Sequence, residues 1–151
     1  MRYSEELLTL HRLIYISQAS QCVNDNITDV LRDVLLVAAQ RNEAASITGA
    51  LLYCDGWFLQ VLEGARLQVG MAYGRICNDR RHRAVEVIEA KPVEKRVFQL
   101  WSMCGAQLSP MDTAIVETLE RGESFQPRRL NGATALKLLG AVRKLQLRGI
   151  Q

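Results

Sequence analysis

Three polar side chains of this chain fall on segments that are otherwise patterned as apolar faces. Gln60 shares a predicted strand face with Phe58 and Leu62. Tyr15 lies in an alternating apolar segment, and Asn42 lies on the apolar stripe of a predicted helix. Amide and phenol groups among apolar side chains cost free energy unless they find hydrogen-bond partners. Together the three residues predict a planar polar ligand, held between two helices and a sheet.

Machinery for hydrolysis or phosphoryl transfer is not visible in the sequence. It lacks a Ser/His/Asp arrangement, a Walker loop, a G-x-G-x-x-G motif and a pair of carboxylates with obvious shared placement. The histidines are only His11 and His82, which excludes a His-rich metal site. The four cysteines are isolated, which argues against a zinc site or a disulfide scaffold and predicts buried free thiols. They are Cys22, Cys54, Cys77 and Cys104.

The stretch from residue 47 to residue 64, ITGALLYCDGWFLQVLEG, predicts a β-hairpin. Its Asp55-Gly56 pair tolerates the positive φ angles of a tight hairpin turn. A two-residue loop at this pair places Leu51 opposite Gln60. Both faces of the hairpin are apolar, so each face needs a cover of its own. The second face carries Leu52, Trp57, Leu59 and Val61.

The remaining periodicities place the hairpin in an α+β domain with ferredoxin-like architecture. Alternating apolar residues predict strands, and apolar residues at helical spacing predict helices. The order is β-α-β-β-α-β followed by one added β-strand, which is a split βαβ arrangement. The charged residues that end the second helix predict a solvated turn. The elements are a strand at 11–17, a polar loop at 18–26, a helix at 27–42, the hairpin, a helix at 66–80, and strands at 84–91 and 98–106.

Two C-terminal helices are predicted after residue 106. Ser109-Pro110 suits the start of the first, because Ser is a good N-cap and Pro is favoured at the first helical position. Gly122 ends this helix, and the second one runs from after Pro127 to near residue 148. The second helix has a narrow apolar seam that needs a partner, either the sheet or another chain. We expect both helices to pack on the opposite face of the sheet. The seam consists of Ala135, Leu138, Val142 and Leu145.

The composition is that of an ordinary globular domain. The chain has 151 residues, of which 48% are hydrophobic and 23% charged. No apolar run approaches the ~20 residues of a membrane helix. The N-terminus also lacks the apolar core of a signal peptide, so we expect a cytoplasmic protein. The net charge of +3 comes largely from C-terminal basic residues. No aromatic residues interleave with them, which favours a solvated helix face over a nucleic-acid site.

The sequence resembles the BLUF family, whose members are blue-light sensors that use FAD. The resemblance covers residues 10–106 and rests on five separated motifs in the expected order. It implies a ferredoxin-like fold with the flavin ring between the two helices of the βαββαβ unit. The motifs are RLIYIS (12–17), RNEAASITGALLY (41–53), DGWFLQVLEG (55–64), RICNDRRH (75–82) and FQLWSM (98–103).

The resemblance also implies roles for individual residues. Tyr15 matches the photoactive tyrosine, and Gln60 matches the glutamine between that tyrosine and the flavin. Asn42 matches the asparagine that binds the polar edge of the ring. Arg41 departs from the family, which often has Asn or His there, and a cation at this position could meet the FAD phosphates. The other matches are Val34 and Ile76 as an apolar clamp on the ring faces, Arg75 and Asp79 at its carbonyl edge and ribityl chain, and Trp101 and Met103 as the strand-five pair linked to output.

The mechanism that the resemblance implies is photochemical and turns over no substrate. Tyr15 donates an electron to the excited FAD, and Gln60 relays the proton because its amide carries both donors and an acceptor. Rotation or tautomerisation of Gln60 then changes the hydrogen-bond network around an oxidised flavin, and the absorption shifts to the red. The changed network biases strand five, which leads into the C-terminal helices.

We expect residues 1–106 to form the FAD-binding photosensor domain and residues 107–151 to form a helical output extension. This extension leaves no room for a cyclase or phosphodiesterase domain, so we expect output by contact with a downstream signalling protein and by homo-oligomerisation. A membrane or a nucleic acid is not an expected partner. One alternative is a ferredoxin-like nucleic-acid or regulatory binding module without flavin, but the sheet lacks the exposed paired aromatics that stack bases. Another is a flavin enzyme, which would need an acid or base that the sequence does not offer.

Overall fold

The structure, a computed structural model, describes residues 2–99 and 103–149, and the side chains of residues 5–99 and 103–145. Its helices and strands follow the order expected of a βαββαβ unit with additions at both ends. The elements are α1 (Arg2–Leu8), β1 (Leu10–Ala19), α2 (Gln21–Asp25), α3 (Ile27–Ala44), β2 (Thr48–Cys54), β3 (Trp57–Ala65), α4 (Arg66–Cys77), β4 (His82–Pro92), β5 (Cys104–Leu108), α5 (Thr113–Thr118), a 3-10 turn (Pro127–Arg129) and α6 (Gly132–Gly149).

The five strands form one sheet in the order β4-β1-β3-β2-β5. β1 pairs antiparallel with both β3 and β4, and β2 pairs antiparallel with β3. The added strand β5 pairs parallel with β2 at the sheet edge. The ferredoxin-like α+β fold with one added strand is therefore confirmed. Within the described residues, no helix is long and apolar enough to cross a membrane.

The hairpin of β2 and β3 has the predicted register. Asp55 and Gly56 take positive φ angles of 52° and 80°, as the tight hairpin turn with two left-handed residues requires. Leu51 lies opposite Gln60, and the remaining pairs follow the same two-residue loop. The side chain of Gln60 consequently points to the face that the alternation predicted.

The sheet has two buried faces, and each has its own cover. We call the first the cleft face; it packs against α3 and α4. We call the second the back face; it packs against α5 and α6. The cleft face carries Leu13, Tyr15, Leu51, Phe58, Gln60 and Leu62, and the back face carries Ile14, Ile16, Leu52, Leu59 and Val61.

The apolar seam of α6 faces the sheet of its own chain. Ala135, Leu138 and Val142 are fully buried in the cluster that contains Leu52 and Leu59. Of the two possible partners for this seam, the structure therefore selects the sheet. The prediction that the C-terminal helices cover the second face of the hairpin is confirmed.

The last strand begins later than predicted. β5 starts at Cys104, whereas the alternation predicted a strand from residue 98. Phe98 is instead buried in the back-face cluster, and its N–H donates to the Glu63 carboxylate at 2.8 Å. A buried carboxylate thus takes the place of a neighbouring strand as hydrogen-bond partner. The predicted position of Trp101 lies outside the described residues.

Several helix ends also differ from the predictions. The polar loop at 18–26 contains the short helix α2, and α4 ends at Cys77 rather than at residue 80. α5 begins at Thr113, after the N-cap residue Asp112, whose carboxylate accepts the Ser109 N–H in the preceding turn at 2.5 Å. It ends at Thr118, before Gly122. α6 begins only at Gly132, after the 3-10 turn, and the Asn131 Oδ1 accepts the Thr134 N–H at 2.9 Å.

The expectation of four buried thiols holds for only half of them. Cys54 and Cys104 are buried on the back face, whereas Cys22 and Cys77 are exposed. Burial raises the pKa of Cys54 to about 12 and that of Cys104 to about 11, so both are neutral thiols. Among the described residues no group of His, Cys, Asp and Glu is placed to hold a metal ion.

Candidate functional site: a cleft between two helices

An open cleft with a cavity volume of about 130 Å³ lies between α3 and α4 above the cleft face of the sheet. α3 and α4 cross the sheet side by side because each connects two strands that lie on either side of a third. Their apolar stripes form the two walls, and β1, β2 and β3 form the floor. The lining includes Tyr15, Val34, Ala38, Arg41, Asn42, Leu51, Gln60, Leu62, Ala72, Arg75, Ile76, Asp79, Arg81 and His82.

The floor of the cleft carries a chain of three hydrogen-bonding side chains. Tyr15 and Gln60 are register partners on β1 and β3, and both are buried. The Tyr15 hydroxyl donates to Gln60 Oε1. Gln60 Nε2 in turn donates to Met103 Sδ, at 3.4 Å. The amide of Gln60 therefore connects the phenol on β1 with the residue that immediately precedes β5.

The phenol of Tyr15 is held in its neutral form. Burial raises its pKa well above the usual value of 10.0, and the negative charge of Asp79 raises it further. A buried tyrosinate would be both desolvated and repelled. Tyr15 thus acts as a hydrogen-bond donor at any physiological pH.

An ion pair lies in the wall beyond the end of α4. The Asp79 carboxylate accepts the Arg81 Nε–H at 3.0 Å and the Nη2–H at 2.5 Å. Burial alone would raise the pKa of Asp79, but the hydrogen bonds and charge of Arg81 outweigh it and hold that pKa below its ordinary value. A carboxylate and a guanidinium are thereby presented side by side to the cleft.

His82, the first residue of β4, sits between the ion pair and the floor. Its Nδ1 lies 2.7 Å from Ser17 Oγ, with which it shares a hydrogen bond. Its ring centroid is 4.8 Å from that of Phe58 and 6.1 Å from that of Tyr15. Burial lowers the pKa of His82 to about 4, so the imidazole is neutral near pH 7.

Arg41 and Arg75 stand at the mouth of the cleft, one near the end of α3 and the other near the end of α4. Both are exposed. The ion pairs formed among the described residues do not involve either of them. Two guanidinium groups on opposite helices thus leave the mouth positively charged.

The lining suits a planar aromatic group with one polar edge. Val34 and Ile76 come from facing helices and offer apolar surface to the two sides of such a ring. Asn42 is buried at the inner end, two residues before α3 ends, so its side chain is a cleft residue rather than a helix cap. Its amide and the Asp79–Arg81 pair supply donors and acceptors for a ring edge. The residues present therefore fit a flavin.

All seven residues predicted to contact the cofactor line this one cleft; their contact with it stays a prediction. They are Val34, Arg41, Asn42, Gln60, Arg75, Ile76 and Asp79. Arg81 and His82 also line the cleft, whereas the charge pattern predicted a solvated turn for them. Their positions follow from the pairing of His82 with Ala19 across β4 and β1. The signal that could have indicated this is that only Arg83 separates His82 from the alternating segment at 84–91, so the strand could extend back to His82.

Comparison with known proteins supports the same conclusion. The family model for sensors of blue-light using FAD (BLUF) matches residues 10–104. Photoactivated adenylate cyclase subunit alpha of Euglena gracilis is 40% identical over 86 residues, which are 57% of this chain and 8% of that protein. Subunit beta of the same organism is 37% identical over 100 residues, 65% of this chain and 11% of that protein. The chain thus spans only a small part of the length of these relatives.

Solved structures of similar proteins share the fold. The photo-activated state of BlsA has a TM-score of 0.77 and 32% identity, covering 88% of this chain and 94% of that one. A bacterial light-regulated adenylyl cyclase has a TM-score of 0.62 and 31% identity, covering 66% of this chain and 28% of that one. The dark-state structure of BlrB, at 24% identity and a TM-score of 0.70, covers 93% of this chain and 98% of that one and has the same fold. The chain therefore belongs to the BLUF family, and it is a blue-light photoreceptor that uses FAD.

Proposed function

We propose that this photoreceptor works through the hydrogen-bond chain from Tyr15 through Gln60 to Met103, and that the C-terminal helices carry its signal. The observation behind the proposal is that one amide bonds to both neighbours at once. Because Gln60 has a donor end and an acceptor end, turning the amide changes both bonds together. A rotation of the Gln60 amide at the floor of the cleft would therefore change the hydrogen bond to Met103, the residue before β5.

Six of the lining residues would hold FAD in the cleft. Val34 and Ile76 would clamp the two faces of the flavin ring from α3 and α4. Asn42 would bind the polar edge of the ring, and Asp79 its carbonyl edge or ribityl chain. Arg75 would share the contact of Asp79 with the carbonyl edge and ribityl chain. Arg41 would meet the diphosphate at the mouth, because a guanidinium group matches phosphate oxygens in geometry and charge.

Bound FAD would supply the absorption of blue light and, once excited, an oxidant. Tyr15 would give up one electron, and its phenol proton, now strongly acidic, would move along the existing hydrogen bond to Gln60 Oε1. The amide would rotate or tautomerise before the electron and a proton return to Tyr15. No atom is gained or lost overall, and the lasting change is the orientation or tautomer of Gln60.

Output would pass from Met103 to the C-terminal helices. Met103 immediately precedes β5, and β5 places Cys104 and Ala106 against the cluster that contains Leu138 and Val142 of α6. We assign residues 1–106 to the photosensor and residues 107–151 to the output extension. Trp101 belongs to this proposal through the family resemblance alone.

The receptor would act on a downstream protein without turning over a substrate of its own. BLUF domains signal to effectors, and the relatives named above include light-regulated adenylyl cyclases. For this chain we propose a separate signalling partner and self-association. Met111, before α5, and Val116, on α5, support this because they are exposed apolar residues of the output extension. Light scattering of the FAD-loaded protein in the dark and in blue light tests the self-association.

The absorption spectrum before and after blue light is the test of the photochemical proposal. Purified protein is expected to carry oxidised flavin, and illumination is expected to shift its absorption to the red reversibly. A spectrum that bleaches irreversibly, or that does not move, would remove the proposal. A base-stacking module without flavin is not favoured, since helices cover both faces of the sheet and leave neither open to nucleic acid.

A further inference from the structure

The chain between β4 and β5 is attached to the sheet by a buried carboxylate on the back face. Glu63 of β3 is fully buried. Its Oε1 accepts the N–H groups of Val97 at 2.9 Å and Phe98 at 2.8 Å. Its Oε2 accepts the Arg12 Nε–H at 3.1 Å. Ionised acceptors make the stronger kind of hydrogen bond, so residues 96–98, called the 96–98 segment below, are firmly joined to β3.

Arg96 fixes the same segment to the neighbouring loop. Its Nη1 donates to Thr48 Oγ1 and to the Glu63 carbonyl oxygen, both at 2.9 Å. Its Nη2 donates to the Ser46 carbonyl oxygen at 2.7 Å. With these bonds, the 96–98 segment moves with β2 and β3 rather than independently of them.

α6 contacts the 96–98 segment from the other side through the side chain of Arg143. Arg143 Nη1 donates to the Val97 carbonyl oxygen at 2.6 Å. The same guanidinium lies over the Phe98 ring, with Cζ 5.5 Å from the ring centroid. The peptide units around Val97 and Phe98 are therefore held by Glu63 on their N–H side, and Val97 is held by Arg143 on its carbonyl side.

Strand β3 connects Glu63, the residue that binds the 96–98 segment, to the cleft. Gln60 and Glu63 are three residues apart on one strand, so their side chains point to opposite faces of the sheet. Gln60 belongs to the cleft and Glu63 to the back face. A shift of β3 that follows a change at Gln60 must therefore move the carboxylate that holds the 96–98 segment.

We propose that Arg143 is the positioning residue that transmits the light-induced change at Gln60 to α6, through Glu63 and the 96–98 segment. The proposal rests on the proposed output through the C-terminal helices and names the contact that performs it. Among the side chains of α6 that the structure describes, the buried ones are apolar and pack without directional contacts; they are Ala135, Leu138, Leu139 and Val142. A hydrogen bond is directional and weakens steeply when its angle changes, so Arg143 is the contact that senses a small shift.

The experiment compares R143Q with K144Q in the FAD-loaded 151-residue chain. Arg143 is partly exposed, so its replacement removes no buried core residue. Lys144 is its exposed neighbour on the same helix and serves as the matched control. Two quantities are measured in each protein: the light-induced red shift of the flavin, and the light-minus-dark difference in amide hydrogen exchange of α6.

R143Q is expected to keep the full red shift while the exchange difference in α6 falls about fivefold, the change in an equilibrium constant that loss of one hydrogen bond produces. K144Q is expected to match the wild-type protein in both measurements. R143K retains a donor for the Val97 carbonyl and is expected to fall between R143Q and the wild-type protein.

Three outcomes separate the possible failures. An unchanged exchange difference in R143Q overturns the role of Arg143 and leaves the proposed photochemistry standing. A wild-type red shift without any exchange difference in α6 overturns both the helix output and the role of Arg143. Absence of the red shift in the wild-type protein overturns the proposed photochemistry itself, and with it any signal for Arg143 to transmit.

Discussion

The Tyr15 hydroxyl donates a hydrogen bond to Gln60 Oε1, and the two residues face each other across β1 and β3. The register of two antiparallel strands holds this contact in place. Rotation of the amide would present Nε2 to the phenol in place of Oε1. The Nε2 group is a donor, so the Tyr15 hydroxyl could no longer donate to Gln60. The relative orientation of these two side chains is therefore a two-state element at the floor of the cleft.

Replacing either partner removes that element. Y15F lacks the electron and proton donor, and Q60L lacks the amide. Both variants are expected to bind FAD, because the apolar walls remain, and to lose the reversible red shift. Y53F is the control: the Tyr53 hydroxyl bonds to Asn24 Oδ1 at 2.6 Å outside the cleft lining, so its loss is expected to leave the shift intact. Difference spectroscopy under blue light checks all three, and a persisting shift in Y15F would contradict the assignment.

Met103 Sδ accepts the Gln60 Nε2–H at 3.4 Å, and we propose that this bond stabilises the orientation of the Gln60 amide in the dark. M103L keeps the side-chain volume but removes the sulfur acceptor, so the dark state is expected to lose the equivalent of one hydrogen bond. Thermal return after illumination is then expected to slow by about 2- to 10-fold. M71L is the matched control, because Met71 lies on the exposed side of α4. Recovery is followed by absorbance in the dark, and equal rates in both variants would show that the sulfur plays no part.

Local rules were sufficient to predict the floor of the cleft. Alternation along β3 and the turn chemistry of Asp55 and Gly56 place Gln60 on a buried face, and the helical period places Asn42 beside it. These signals depend on neighbours within a few residues. The family resemblance added the identity of the ligand, which neither period nor spacing contains.

The features that the sequence did not predict depend on contacts between residues that are far apart in the chain. The alternation of its neighbours predicted that Phe98 lies in a strand. Its N–H instead donates to the carboxylate of Glu63, which is distant in sequence, and its backbone does not pair with a strand. Arg81 and His82 looked solvated because they follow a helix in a charged cluster. The register of β4 against β1 places His82 opposite Ala19 and partly buries it. Arg81 stays in the turn, with 42% of its side chain exposed, and pairs with Asp79 at the cleft. Such tertiary contacts override local pattern.

Stability is expected to depend on pH through His82. Its pKa of about 4 in the folded protein lies below the value of 6.5 for a free imidazole. As the pH falls through this range, the unfolded chain binds the proton first. The stability that comes from burying a neutral His82 is therefore fully present above pH 6.5 and is lost as the pH falls towards 4. The loss amounts to about 3 kcal/mol at most. Urea unfolding at several pH values measures it, and an NMR titration of the His82 ring near its free value would contradict it.

Arg41 is expected to distinguish flavins by their phosphates. R41N removes one cation from the mouth, so FAD affinity should fall by about 2- to 5-fold at low salt, as for an exposed ion pair. Riboflavin has no phosphate, and its affinity should not change. R32N is the control on the same helix, because Arg32 is exposed and lies outside the cleft lining. Fluorescence titrations at two salt concentrations decide; an equal loss for both flavins would place Arg41 at the ring instead.

The buried pair of Arg12 and Glu63 is expected to be the most sensitive charged contact to substitution. Their side chains are 10% and 0% exposed, so E63Q leaves a guanidinium without a counter-charge in the interior and should cost about 3–5 kcal/mol of unfolding free energy. D29N breaks an exposed pair with Arg32, whose atoms are 3.8 Å apart, and should cost under about 1 kcal/mol. Both are measured by urea unfolding at one fixed FAD concentration, because bound ligand adds stability of its own. Equal costs would mean that the charge of Glu63 contributes nothing beyond what a neutral amide of the same shape supplies.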